Sequence, residues 1–284
     1  MTMRPAFGKT LYVLLVLYLI AGLPSAGSAE DYLDSDQIAL ISLGTAGTAL
    51  TGRLVRNVDS ARSPWITGPL PLESRLQRLL GGECYAGKTN FLDNTFGSVA
   101  TPVAAGMLML TADLSWPQGD RTKTSLQDLF LYSTGLLVTE GVTYLSKGLF
   151  ARERPLPRLH ADIAALRKEV DISYDRQSFF SGHTSGAFFA AAFVNKRLRS
   201  IMRTELSDGE YRNWRWASPV LMYGWASFVG WSRIHAYKHY VSDILAGALA
   251  GYLLAELFYS FGDDAFLPEG ESGSVITLSI TVRF

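Results

Sequence analysis

Residues 231–243 read Trp-Ser-Arg-Ile-His-Ala-Tyr-Lys-His-Tyr-Val-Ser-Asp and come directly before a long apolar run, residues 244–255. Such a run predicts a buried or membrane-crossing helix. On a helix, His239 and Asp243 share one face because they are four residues apart. A carboxylate so placed can accept the proton of one imidazole nitrogen and leave the other as a nucleophile or base. Arg233 falls off that face, so we expect it to reach the site from the preceding loop.

Two further groups of polar residues precede this stretch. Lys147 and Arg154 are nearly two helical turns apart and are expected to project from one side of a helix that Pro155 ends. Further along, Ser181 begins the sequence Ser-Gly-His and is a good N-cap, and free N–H groups at a helix start bind anions. Each group alone also fits an ordinary helix end. Together they supply the cations, backbone donors and two histidines that phosphoryl transfer needs.

Five apolar segments predict an all-α fold. They are rich in Ala, Gly, Leu and Phe and cover residues 95–112, 126–146, 181–194, 216–231 and 244–261. The first motif ends the second segment, the second opens the third, and the last joins the fourth to the fifth. If consecutive helices run antiparallel, all three motifs gather at one end of the bundle. We therefore predict an antiparallel helical bundle of about five or six core helices, followed by a short C-terminal β-strand.

At these residues the sequence resembles the type-2 phosphatidic acid phosphatase and vanadium haloperoxidase superfamily. The family pattern is Lys-x6-Arg-Pro, then Pro-Ser-Gly-His, then Ser-Arg-x5-His-x3-Asp. This chain carries all three blocks in order, within residues 126–261, and departs only at Phe180, where the family has proline. Proline carries no transferred proton or charge, so the departure bears on the rigidity of the loop.

The cluster predicts a mechanism, and the resemblance implies the same roles at the same positions. His239 attacks phosphorus and forms a phosphohistidine, Asp243 holds its tautomer, and His183 protonates the leaving group and then activates water. The non-bridging oxygens are held by cations and helix-start groups, namely Lys147, Arg154, Arg233, Ser181 and Gly182. No metal or cofactor is required, since these groups supply the compensating charge.

The predicted function is a metal-independent phosphatase whose substrate is a lipid phosphate or a polyprenyl diphosphate. A soluble periplasmic acid phosphatase, a vanadate-dependent haloperoxidase and a non-catalytic envelope protein are the alternatives. The formal charge is zero, with 26 basic and 26 acidic residues, so nothing indicates nucleic acid. One cysteine excludes an internal disulfide. Residues 82–89 match the nucleotide P-loop pattern, but they follow a helical rather than a strand periodicity, so we assign them no nucleotide.

The ends of the chain predict export. Residues 1–29 have a basic start, an apolar centre and a small-residue cleavage site, as a signal peptide does; an uncleaved anchor helix is the alternative. Residues 30–95 form a mixed segment, with a short helix over 38–50, and residues 96–262 form the bundle domain. Residues 263–284 are a tail in which 275–284 alternate apolar and polar side chains, as a strand does.

Basic residues suggest how the bundle is placed. Lys196, Arg197, Arg199 and Arg203 follow the third segment, opposite the motifs. By the positive-inside rule, we predict a bundle embedded in the inner membrane with its motifs on the periplasmic side. The segments are near the lower length limit for spanning, so a soluble periplasmic bundle stays open.

Overall fold

The computed structural model describes residues 33, 35–58, 69–82, 97–115, 121–156 and 175–263, and the fold within them is entirely helical. The helices are α1 (Ser35–Val58), α2 (Glu73–Leu80), α3 (Thr101–Ser115), α4 (Arg121–Phe150), α5 (Gly182–Glu205), α6 (Asp208–Trp214), α7 (Ala217–His235) and α8 (Val241–Asp263). The prediction of an all-α bundle is confirmed for these residues. The signal segment, the terminal strand and residues 83–89 of the P-loop-like match lie outside them.

Helix α5 is the centre of the bundle. It packs against α3, α4, α7 and α8. Its middle turns are buried from Phe189 to Val194, and three alanines separate the rings of Phe189 and Phe193. The Tyr132 ring of α4 contacts both Phe189 and Phe193, with centroids 5.9 and 5.6 Å apart. This interdigitation of large and small side chains fixes the positions of the surrounding helices around α5.

Helices α5 and α8 approach each other through glycines. A Cβ placed on Gly247 would lie 2.8 Å from the Ser181 carbonyl oxygen, and one on Gly251 would lie 2.1 Å from that of Ser185. Two glycines four residues apart allow the backbones to touch, as in small-residue helix interfaces of membrane proteins. This contact sets the start of α5 beside the start of α8, where two of the three motifs lie.

Helix α1 runs parallel to α4. Gly141 lies against the Thr48 backbone. Gly148, about two turns further along α4, lies against Val55, which is about two turns further along α1. Since α4 ends beside the first motif, α1 also ends there and begins at the opposite end of the bundle. The helix is longer than the segment 38–50 that the sequence predicted.

Three of the described helices are long and apolar enough to cross a membrane: Ser35–Val55, Gly97–Ser115 and Val241–Phe261. Their outward faces carry leucines that are more than half exposed, among them Leu40, Leu43, Leu245 and Leu249. Soluble monomers rarely expose such continuous apolar faces, so they indicate contact with lipid.

Candidate active site

The three motifs meet at one end of the bundle, which we call the motif end. The Ser181 amide donates to the Asp243 carbonyl oxygen at 3.1 Å, which joins the second motif to the third. Arg154 Nη1 donates to the Lys238 carbonyl oxygen at 2.8 Å, which joins the first motif to the third. Convergence of the motifs, which the parity of the helices predicted, is observed.

The neighbours of His239 determine which of its two ring nitrogens carries the proton. Its Nδ1 lies 2.7 Å from the Ser178 carbonyl oxygen, which can only accept, so Nδ1 carries the proton. Its Nε2 lies 3.4 Å from Arg154 Nη1, which can only donate. Burial, with smaller contributions from the charges of Arg154 and Lys147, lowers the pKa of His239 to about 3 against the opposing effect of Asp243. The ring is therefore neutral near neutral pH, with the lone pair on Nε2.

Asp243 does not make the direct bond to His239 that the sequence predicted. Its Oδ2 lies 3.7 Å from Nδ1, beyond hydrogen-bonding distance. The reason is that α8 begins at Val241, so His239 precedes the helix and does not share a helical face with Asp243. Oδ2 instead accepts from the Ser178 hydroxyl at 2.6 Å and the Tyr240 amide at 2.9 Å. Asp243 is therefore linked to His239 by its hydrogen bond to Ser178, whose carbonyl fixes the tautomer, and by a direct charge contact at 3.7 Å.

The first motif also differs from the expected helical arrangement. Helix α4 ends at Phe150, and Ala151 has a φ of 46°, so the chain leaves the helix before Arg154. Lys147 is helical, whereas Arg154 lies in the following loop, where its amide donates to the Asp175 carbonyl oxygen at 2.7 Å. The two cations are brought together by this loop rather than by spacing along one helix.

Arg233 lies in the last turn of α7, which continues to His235, and not in the loop where we expected it. It is 2 % exposed. Its charge bears on His183, whose pKa is held well below the usual range by burial of the ring first and then by Arg233, His239, Lys147 and Arg154. His183 Nε2 is buried and has no hydrogen-bond partner among the described residues.

Ser181 caps α5 as predicted. Its side chain accepts a hydrogen bond from the Thr184 amide, and its own amide donates one to the Asp243 carbonyl oxygen. The first helical amides after it have no acceptor within the helix, which leaves them for an anion. Gly182 lies at this point, and a Cβ there would be 3.7 Å from Lys147 Nζ. The same Cβ would be only 3.1 Å from Thr143 Cγ2, so the glycine lets the start of α5 lie close against α4.

Three residues that the sequence did not single out complete the site: Glu73, Arg152 and Ser178. Arg152 lies inside the first motif, two residues before Arg154. This second arginine in the motif was a signal that could have marked Arg152 as a site residue. Ser178 stands shortly before the second motif. Glu73 gave no signal, because its partner Ser242 is 169 residues away along the chain. Among the described residues, no group of three His, Cys, Asp or Glu side chains is arranged to hold a metal ion.

Residues 128–266 match the family model of the PAP2 superfamily. This region of the chain belongs to the PAP2 superfamily. All three motifs lie within this PAP2 region, which starts in α4 and ends just after α8. With its three candidate spans, this PAP2 member is a membrane protein with transmembrane helices.

Several curated proteins are similar to the PAP2 region. Human "Phospholipid phosphatase 2" is 28 % identical over 153 residues, which cover 46 % of this chain and 50 % of the relative. Rat "Phospholipid phosphatase 1" is 32 % identical over 101 residues, 34 % of this chain and 33 % of the relative. "Probable diacylglycerol pyrophosphate phosphatase 1" of Schizosaccharomyces pombe is 36 % identical over 87 residues, 29 % of each chain. The chain spans half or less of the length of these relatives.

One solved structure is similar over most of its length. It is the crystal structure of the first transmembrane PAP2 type phosphatidylglycerolphosphate phosphatase from Bacillus subtilis, at 18 % identity and a TM-score of 0.43. The likeness covers 92 % of this chain and 98 % of that one.

Proposed function

We propose that this protein is a membrane-embedded lipid phosphate phosphatase that works through a phosphohistidine on His239. The observation that carries the proposal is the neutral imidazole of His239, with its Nε2 lone pair beside Arg154. A neutral, buried imidazole next to a fixed guanidinium is a nucleophile placed where a phosphate would bind. The names of the similar proteins, which are phospholipid phosphatases, support lipid phosphates as the substrate class.

In the first step, His239 Nε2 forms a bond to phosphorus as the bond to the leaving oxygen breaks. The leaving oxygen needs a proton, and His183 is the group that supplies it. Without substrate, burial and then the surrounding cations hold the pKa of His183 well below its usual range. A bound phosphate dianion offsets these positive charges and raises the pKa of His183, so the ring takes up a proton as the substrate binds. In the second step, His183 removes a proton from water, which attacks phosphorus and frees His239.

The charge on the phosphoryl oxygens is met by Lys147, Arg154 and Arg233 together with the amides at the start of α5. Three cations and a helix N-terminus suit a group that carries negative charge on three equatorial oxygens. Ser181 acts mainly as the cap that holds these amides in place. We therefore propose that phosphate release needs no added divalent metal.

A lipid substrate also fits the shape of the bundle. An apolar cavity of about 180 Å³ opens between α3 and α4, with Val99 and Pro102 toward the motif end and Leu110 and Leu129 further along. Gly97 lies just before this cavity, and a Cβ on it would be 2.8 Å from His183 Cδ2. A hydrocarbon chain in the cavity would therefore leave its phosphate close to His183.

Phosphate release in detergent tests this function. The panel contains a phosphatidate, an isoprenyl diphosphate and a soluble aryl phosphate, each with and without a chelator. We expect kcat/KM to be at least about tenfold higher for a lipid than for the soluble ester, because apolar burial of the chain adds to binding. We also expect the chelator to have no effect. A preference for the soluble ester would indicate an acid phosphatase, and vanadate-dependent halide oxidation would indicate a haloperoxidase.

The motif end is proposed to face the periplasm. The opposite end carries Lys196, Arg199 and Arg203 of α5 and Arg212 and Arg215 around α6. An excess of basic residues beside the spans marks the cytoplasmic side.

In this orientation, α1 must begin on the cytoplasmic side, since it begins opposite the motif end. Cleavage of a signal peptide after residue 29 would place Ser35 on the other side of the membrane. A periplasmic motif end and a cleaved signal are therefore incompatible if α1 crosses the membrane.

Labelling of introduced cysteines decides the orientation. In a Cys84→Ser background, Arg78→Cys places a thiol on an exposed position of α2 at the motif end, and Gly209→Cys places one on α6 at the opposite end. We expect a membrane-impermeant maleimide to label position 78 but not 209 in spheroplasts, and to label both after lysis. Labelling of position 209 alone before lysis would place the motif end in the cytoplasm.

A further inference from the structure

We propose that Glu73 of α2 is a positioning residue of the active site, acting on Asp243 through Arg152. This inference rests on the proposed function and adds to it a helix that lies outside the PAP2 region, residues 128–266. Nothing in the three motifs points to α2. Its assignment comes from contacts between buried charged groups at the motif end.

Arg152 bridges two carboxylates. Its Nη1 donates to Asp243 Oδ1 at 2.5 Å and to the Ser242 hydroxyl at 2.7 Å, and its Nη2 donates to Glu73 Oε2 at 2.6 Å. The guanidinium is 1 % exposed, and its Cζ lies 4.3 Å above the Tyr240 ring. A buried arginine in this setting has little freedom, so its two carboxylates are fixed relative to each other.

Glu73 also holds the start of α8 directly. Its Oε1 accepts from the Ser242 amide at 3.0 Å, which is one of the first amides of the helix and has no acceptor within it. Asp243 is the next residue. Glu73 therefore fixes both the backbone that carries Asp243 and the arginine that contacts its carboxylate.

Helix α2 is attached to the last turn of α7 at further points. Gln77 Nε2 donates to the Ile234 carbonyl oxygen at 2.7 Å, and the Gly82 amide donates to that of His235 at 3.0 Å. Gln77 is fully buried. These bonds seat α2 on the segment that leads from Arg233 to His239, so the position of Glu73 is determined independently of its own salt bridge.

Charge gives Glu73 an effect on the chemistry. Without the carboxylate of Glu73, the positive charge of Arg152 would be balanced by Asp243 alone. Arg152 would then largely cancel the negative field of Asp243 at His239. With Glu73, the three ionised groups keep one net negative charge. His239 gains positive charge as Nε2 attacks phosphorus, so this negative charge stabilises the transition state. The phosphate-binding cations Lys147, Arg154 and Arg233 are not involved.

The test is Glu73→Gln in the full-length protein, with a phosphatidate in detergent micelles as the probe. We expect kcat to fall about 10- to 100-fold, as for partners that orient functional ligands, while KM stays within about threefold. In a single turnover, the rate constant for phosphohistidine formation should fall, but the fraction of enzyme molecules able to react should not. Glu73→Asp, which keeps the charge, should retain more activity than Glu73→Gln. Glu205→Gln, at the far end of α5, is the control and should behave as wild type.

Each outcome bears on one proposal only. Wild-type kcat in Glu73→Gln, or an aspartate variant no better than the glutamine variant, would overturn the role of Glu73. A smaller reactive fraction with an unchanged rate constant would show that Glu73 only holds the fold together, and would overturn the proposal as well. If Glu73→Gln does not fold, the Glu73→Asp protein decides, because a shifted carboxylate should lower kcat without changing KM. Absence of any phosphohistidine in the wild-type protein would instead contradict the proposed function.

Discussion

Replacement of His239 by alanine is expected to lower kcat for phosphate release by roughly 10⁴-fold or more, the scale seen when a catalytic nucleophile is removed. The reason is that Nε2 of His239, which lies 3.4 Å from Arg154 Nη1, is the atom we propose to bond to phosphorus. The variant should also fail to form an acid-labile phosphoprotein. Both are measured by rapid quenching with radiolabelled phosphatidate.

His235→Ala is the matched control for this experiment. His235 is four residues earlier, at the end of α7, and its ring packs on Trp231 with centroids 4.9 Å apart. It contacts none of the phosphate-binding groups proposed above, so its loss should change kcat by less than about threefold. A His239→Ala protein that kept a tenth of the wild-type rate would contradict the phosphohistidine mechanism.

Replacement of Gly251 by alanine is expected to destabilise the protein by about 3 kcal/mol, at the upper end of the range for overpacked cores. The added Cβ would lie 2.1 Å from the Ser185 carbonyl oxygen and 2.9 Å from the Phe189 amide nitrogen. These are backbone atoms of α5, which cannot move aside without moving the helix. Chemical unfolding in detergent, followed by tryptophan fluorescence, measures the change in the free energy of unfolding.

The same substitution should also lower activity in the fraction that remains folded. Helix α5 carries His183 near its start, and α8 carries Asp243, so separating the two helices moves the parts of the site apart. A displacement of about 1 Å can cost roughly 10²-fold in rate.

Gly224→Ala on α7 is the control, because nothing lies within 4 Å of the new methyl group. That variant should be as stable as wild type or slightly more stable, since alanine favours the helix. Equal stability of the two variants would mean that α5 and α8 do not touch at Gly251.

Much of the bundle was predictable because helices obey local rules. Apolar periodicity and length indicated the segments, and Ser181 was recognised as a cap from its residue type and the run that follows it. The parity of the segments was sufficient to bring the three motifs to one end. Helix α1 was underestimated because it contains three glycines, Gly44, Gly47 and Gly52, which lower helix propensity. Gly52, however, is where α1 meets the Gly141 backbone of α4.

Errors in the site came from extending helices through residues that lie just outside them. His239 precedes α8 and Arg154 follows α4, so spacing along a helix did not describe either one. Helix boundaries depend on capping and on loop contacts, such as the bond from Arg154 to the Lys238 carbonyl oxygen. Contacts of this kind join distant parts of the chain and leave no local pattern.

By itself, the sequence determined the helical class, the order of the motifs and the chemical types gathered at one end, since each depends on neighbouring residues only. Only the tertiary structure decided which atom of His239 carries the proton and which residues support Asp243. These depend on the Ser178 carbonyl, Arg152 and Glu73, which reach the site from separate parts of the chain. A hydrogen bond between residues far apart in sequence is fixed by the packing of whole helices, and packing is not encoded in any single stretch.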